Sequence, residues 1–192
     1  MLKTRVFFAT AVAVTAALAL TACGGTNAND ESQTPSAATS SSDFNDADVT
    51  FAQMMIPHHK QAVEMSDDLL AKDDIDPDVV DLALEIKAAQ EPEITQLNLW
   101  LTDWDADSGM SGMDMGDGMM SEGDMMALQD ASGDAASRLF LEQMTVHHEG
   151  AIEMAQLEIR NGKNAGAQAM AENIATTQTT EIDVMAELLA TL

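Results

Sequence analysis

The sequence has no tyrosine, one cysteine, two tryptophans and only eight lysines and arginines against 33 aspartates and glutamates in 192 residues. Each shortage excludes something. At a formal charge of -25 and with no basic cluster, the chain repels phosphate backbones and can release no counterions from them, so nucleic acid is not expected as a partner. A single cysteine builds neither a disulfide framework nor a thiolate zinc or iron–sulfur site. No glycine-rich phosphate loop follows a strand pattern, no His-Glu-x-x-His occurs, and the serines sit mainly in a tether and a loop, so hydrolase machinery is not visible. Aromatics make up 4% and prolines number four, which leaves Ala, Leu, Met, Val and Ile to carry the hydrophobic content. Together with abundant Glu, these residues lose little on entering a helix, and the expected fold class is all-α.

The N-terminus is a targeting segment rather than part of the fold. Lys3 and Arg5 precede an apolar run from Val6 to Leu20, and Leu20-Thr21-Ala22-Cys23 follows. This is a secretory leader, not a spanning helix. The small residues before a lone cysteine resemble a bacterial lipobox, which implies cleavage before Cys23, lipidation of its thiol and an anchor on the outer face of the cell membrane. An ordinary cleavable leader with a stray Cys23 is the other reading. Residues 1–22 are therefore expected to be a lipoprotein signal, 23–43 a disordered tether of Gly, Ser, Thr, Asn and acidic residues, and 44–192 the folded part.

Order should begin at Asn45, a good N-cap, and run helically to about Ala71. Asp76-Pro77 supplies a cap and an N1 proline for a second helix through Leu101, kinked at Pro92. A long loop from Asp105 to Gly123 precedes a short helical stretch, Asp124 to Asp130. Two more helices are expected from about Ser137 to Asn161 and from about Ala165 onward, separated at Gly162.

An internal repeat organises these helices. Phe51, Met55, His58, His59, Ala62, Glu64 and Met65 recur 89 residues later as Phe140, Met144, His147, His148, Ala151, Glu153 and Met154. Ile86, Gln90, Glu93, Ile94 and Leu97 recur 88 residues later as Ile174, Gln178, Glu181, Ile182 and Met185. Each half is one helical hairpin, and neither can bury its apolar stripe alone. Two such hairpins most simply pack as a four-helix bundle with pseudo-twofold symmetry. The match is imperfect: Val146 stands opposite Pro57, and Glu158 opposite Leu69.

All four histidines lie in the repeat as two adjacent pairs. At 100° per residue, Phe51, His58, Ala62 and Leu69 share one stripe, flanked by Met65 on one side and by Met55 and His59 on the other, while Glu64 and Glu153 face water. Di-iron bundles carry a carboxylate three residues before the histidine, whereas here that position holds Met55 and Met144. Thioether with imidazole suits copper, especially copper(I), or silver, and not iron or manganese. Each methionine taken singly is better explained as a core filler, and each histidine can be read as a satisfied polar group. The duplicated ensemble favours metal, because burying four imidazoles needs a compensating use.

The duplicated Met-x-x-His-His-x-x-Ala-x-x-Met segments, each followed by Ile-x-x-x-Gln and then Glu-Ile, resemble the family catalogued as domain of unknown function 305. The resemblance extends from about Asp43 through Gly118-Met119-Met120 and Phe140-Leu141-x-x-Met144. It implies a secreted or lipid-anchored, ferritin-like four-helix bundle, with copper binding and copper tolerance among some members. Carried onto this sequence, it points to Met55, His58, His59 and Met65, and to Met144, His147, His148 and Met154, as metal ligands.

Two further features accompany that site. Met110, Met113, Met115, Met119, Met120, Met125 and Met126 fall within 17 residues among Gly, Ser and Asp, which resembles Met-rich copper(I)-capturing segments. A partner-binding surface, or packing of the short helix by the last four, is the alternative. Gln90 with Glu93 and Gln178 with Glu181 could orient the imidazoles or simply bond helix to helix. The sequence thus points to an extracytoplasmic copper-binding lipoprotein for buffering, sequestration or delivery, partnered by the membrane through Cys23 and by a copper donor or acceptor. A copper-dependent or ferritin-like redox enzyme and a metal-free interaction protein are the alternatives. Because histidine binds metal only when neutral, affinity is expected to weaken below about pH 6.5.

Overall fold

A computed structural model describes residues 43–107 and 118–192. The leader, Cys23 and tether, together with Met110, Met113 and Met115, lie outside the described residues. The described elements are five helices: α1 (Asp46–Leu70), α2 (Pro77–Asp103), α3 (Glu122–Asp130), α4 (Gly133–Asn161) and α5 (Ala165–Leu189). None of them is long and apolar enough to cross a membrane.

Local chemistry sets most of the boundaries. Asn45 accepts from the amides of Ala47 and Asp48 while Asp48 accepts from the Asn45 amide, a reciprocal capping box at the start of α1. Asp76 caps α2 with Pro77 at its first position. Ser121 and Asp124 form a second capping box on α3, and Asn164 accepts from the Ala167 amide to start α5. The exception is α4, which begins four residues before the expected Ser137. Ser137 is buried inside the first turns, donates to the Gly133 carbonyl and accepts from the Asp76 amide. It therefore ties the hairpins together rather than capping a helix. Pro57 and Pro92 both lie within continuous helices.

The long helices form a four-helix bundle of two hairpins, α1 on α2 and α4 on α5, joined chiefly through α1 and α4, while α2 and α5 touch only sparingly. The side-chain amide of Asn45 donates to the carbonyl of Asn161, so α1 starts where α4 ends and the two run antiparallel. Two apolar clusters follow from this. One gathers Met65, Leu69, Ile86, Leu128, Phe140, Met144 and Met185, and the other Phe51, Met55, Leu97, Leu101, Met154 and Ile174. The buried side chains that belong to neither cluster include His58, His59, Gln90, His147, His148 and Gln178. In sequence they fall between the two sets on every helix, so a polar layer crosses the middle of the bundle.

Candidate metal centre

At the centre of this layer His58 of α1 meets His147 of α4, with ring centroids 3.7 Å apart and planes inclined at 40°. The repeat explains the meeting, since equivalent residues of antiparallel helices coincide at the pseudo-twofold axis. Both rings are fully buried, and neither Nδ1 nor Nε2 of either ring has a hydrogen-bond partner. Burial, reinforced by the charges of His59 and His148, lowers the pKa of His58 from 6.5 to about 3. Burial, followed by the charge of His58, holds His147 well below its ordinary value too. Both imidazoles are therefore neutral at physiological pH and keep a lone pair without having to lose a proton. Proton competition at these two rings is thereby moved well below the pH 6.5 that an ordinary histidine predicts.

His59 and His148 are buried as well, but each is held differently. Nε2 of His59 lies 2.8 Å from Glu93 Oε2 on α2, and Nε2 of His148 lies 2.7 Å from Glu181 Oε2 on α5. A carboxylate can only accept, so the hydrogen sits on Nε2, and Nδ1 is the nitrogen that offers a lone pair whenever the ring is neutral. Neither Nδ1 has a partner. Six imidazole nitrogens in one layer are thus buried and unbonded, against the strong rule that buried polar atoms find partners. Each bond holds an imidazole and also joins helix to helix, α1 to α2 and α4 to α5, so the two readings open for Glu93 and Glu181 describe the same contacts.

The methionines border this layer. Met55, Met65 and Met144 are fully buried, and Met154 is nearly so. Met65 and Met144 belong to one apolar cluster, Met55 and Met154 to the other, so each hairpin contributes one thioether on either side of the histidines. Packing at 3.7 Å leaves no space between the ring faces of His58 and His147, so an ion would have to be taken at ring edges. Among the described residues no three His, Cys, Asp or Glu side chains converge on one point, so the histidines do not form a preassembled all-imidazole site. Sulfur ligands would have to complete any coordination, which matches the soft character of the set.

The described part of the Met-rich segment is divided. Met125 packs into the core from α3, Met126 is exposed, and Met119 and Met120 are half-buried. Gln61 of α1 holds Met120 by both backbone groups, donating to its carbonyl at 2.9 Å and accepting from its amide at 2.7 Å. Gly118, at φ +95°, packs onto Gly150 of α4, where an added Cβ would lie 2.8 Å from the Gly150 Cα. Gln61 and Gly150 are repeat equivalents, each one turn beyond His58 or His147. The segment consequently crosses from α4 to α1 close to the histidine layer, a placement that sequence spacing could not give.

A second buried polar group also escaped sequence reasoning. Asp48 accepts from the backbone amides of Lys163 and Asn164, fastening the α4–α5 turn to α1. Burial raises the pKa of Asp48, but the neighbouring Glu158 and the bonds Asp48 accepts from backbone amides outweigh that and leave it below the ordinary value. Burial first, and Asp48 second, push Glu158 up to about 8. Glu158 is therefore protonated at neutral pH, beside the carboxylate of Asp48. The signal was present in the repeat, where Glu158 occupies the apolar position of Leu69.

The family model of the domain of unknown function DUF305 matches residues 48–189. The chain belongs to the DUF305 family. Solved DUF305 structures share the fold: a protein from Streptomyces coelicolor is 32% identical, with 75% of this chain and 92% of that one covered at a TM-score of 0.71. A DUF305 fragment from Deinococcus radiodurans is 29% identical, with 77% and 98% covered at a TM-score of 0.70. CopM in its Cu(I)-bound form is 28% identical, with 75% and 96% covered at a TM-score of 0.64, and CopM is also solved with Cu(II) and with Ag. No curated protein matches the chain.

Proposed function

We propose that this DUF305 protein binds copper, as copper(I), through the His–Met layer and buffers, sequesters or hands on the metal outside the cytoplasm. The observation that carries the reading is the set of six buried, unbonded imidazole nitrogens, two of them on each of the rings that meet at the pseudo-twofold axis. Leaving such atoms without partners destabilises the fold by about 1–3 kcal/mol each, and a metal ion supplies a partner for the one lone-pair nitrogen that each neutral ring offers. His58, His59, His147 and His148 would offer nitrogen, and Met55, Met65, Met144 and Met154 sulfur. Copper(I) fits this neutral donor set because it needs no carboxylate and tolerates low coordination. The likeness to CopM, solved with Cu(I), Cu(II) and Ag, supports the choice of metal. Met110, Met113, Met115, Met119, Met120, Met125 and Met126 would serve as a second capture site. The leader and Cys23 support attachment to the outer face of the membrane.

Anaerobic copper(I) titration against a competing chelator, with the full chain kept in detergent, tests this reading. Wild type is expected to bind more tightly than micromolar, or about -8 kcal/mol. His58→Ala/His147→Ala should weaken binding at least tenfold. Loss only in a variant lacking the seven segment methionines would move the site to that segment. Weaker than micromolar binding in every form would remove the copper reading and favour an interaction role.

A further inference from the structure

A cavity of about 140 Å³ lies between α2 and α5, on the side of the bundle where the two hairpins barely touch. It is lined by Gln90, Glu93, Gln178 and Glu181, which are two repeat-related pairs, together with Asn173 and Thr177. No basic residue lines it. Each carboxylate commits Oε2 to a histidine and has a second oxygen to offer. Gln90 is 2% exposed with neither amide atom bonded, and Gln178 is 3% exposed with its Oε1 unbonded. An amide with no partner is free to turn its oxygen toward a ligand. Two carboxylates, two buried amide oxygens and room for a few waters describe a hard-cation environment, chemically opposite to the sulfur- and nitrogen-lined layer beyond it. The two acids alone would not hold an ion, and no cluster of three exists among the described residues, so the amide oxygens and water must complete it.

We propose that this α2–α5 cleft is a distinct divalent-cation site, in which Glu93 and Glu181, assisted by Gln90 and Gln178, hold a partly hydrated ion through oxygen. The proposal does not rest on the copper(I) reading, since His59 and His148 enter only as groups that orient the two carboxylates. Glu93 and Glu181 thereby acquire a double use, positioning the imidazoles with one oxygen and facing the cleft with the other.

The test uses manganese(II), an oxygen-preferring ion whose free form is counted by its paramagnetic resonance signal, with the full chain in detergent. About 0.15 M salt shortens the screening length to roughly 8 Å, which suppresses diffuse attraction by the acidic surface. One manganese(II) per chain is expected for wild type. Glu93→Gln/Glu181→Gln and Gln90→Leu/Gln178→Leu should each weaken it at least tenfold, while His58→Ala/His147→Ala should leave it within twofold. Ala89→Trp fills the cleft from an exposed position without replacing any member of the Glu–His pairs and should also weaken it tenfold. It decides the matter if the polar variants fail to fold. Undiminished binding in Ala89→Trp, or no stoichiometric binding by wild type, would overturn the proposal. Copper(I) titration of Ala89→Trp should be unchanged, so failure of the cleft and failure of the copper reading are separable.

Discussion

Single side chains in this bundle are placed against their own stability. His58 and His147 occupy the buried layer between two apolar clusters with every ring nitrogen unbonded. Leucine has nearly the same volume and no polar atoms to leave orphaned, and replacing buried polar groups by apolar ones of similar shape is often stabilising. Metal-free His58→Leu/His147→Leu is therefore expected to gain about 1–3 kcal/mol in urea unfolding with a chelator present, while losing copper(I) affinity. A loss of stability would mean that the rings make contacts the geometry does not reveal. Glu158 obeys a different logic. Its folded pKa, about 8, is raised above the ordinary 4.5, so the folded state holds a proton that the unfolded state has released between those values. The stabilisation is fully present below pH 4.5 and is lost as pH rises toward 8, with a slope of at most about 1.4 kcal/mol per pH unit for one proton. Glu158→Gln keeps the shape of the protonated side chain and removes its titration. It should flatten that slope and exceed wild type in stability at pH 8.5, as measured by urea midpoints from pH 5 to 9. Parallel profiles would sink the raised pKa of Glu158.

The helices differ in how their ends are held, which makes their caps unequal. Asn45 bonds two amides of its own helix and donates across to Asn161, whereas Ser132 makes no capping bond with its side chain. Asn45→Ala should consequently destabilise by about 1–2 kcal/mol and Ser132→Ala by less than about 0.5, a contrast that thermal unfolding resolves. Gly118 sets a second contrast, because a methyl group there would strike the α4 backbone at Gly150 and its φ is positive. Gly118→Ala should release the 118–120 segment from Gln61 and raise amide exchange at Met120, whose N–H otherwise bonds the Gln61 side chain. At this scale the sequence was informative wherever chemistry is local. Asn45, Asp76-Pro77, Gly162 and the 3.6-residue stripes marked α1, α2, α4 and α5 to within a few residues. It was uninformative where a partner lies far along the chain. Ser137 reads as the start of a helix until Asp76 is found against it, and neither Gln61 with Met120 nor Asp48 with the 163–164 amides has a sequence signature, because 59 and more than 110 residues separate the partners.

For the whole molecule the repeat has the deepest consequence. Duplicated hairpins crossing antiparallel bring equivalent residues together at the axis, which is why His58 finds His147 and not merely a similar neighbour. The duplication was legible in the sequence, but which histidine of each pair sits on the axis was not, since His58 and His59 differ by only 100° on a helix carrying Pro57. Nor did spacing show that His59 and His148 turn outward to Glu93 and Glu181. The arrangement separates two ways of binding soft metal. If each hairpin held its own ion through its local Met-x-x-His-His run, His58→Ala would halve the stoichiometry and leave the other hairpin's site intact. If the axis makes one site shared by both, either single variant should remove it entirely, and the double variant should add nothing further. A ligand that binds only the folded state adds RT ln(1 + [L]/Kd), about 2.7 kcal/mol at a hundred times Kd. Silver(I), which avoids the redox chemistry of copper, should therefore raise the unfolding free energy of wild type by about that amount at a hundredfold excess over Kd. His58→Ala, His147→Ala and the double variant should show the same absent shift, because a shared site couples the two hairpins and its deletions cannot be additive. Half-sized shifts in the two single variants would instead assign one independent ion to each hairpin.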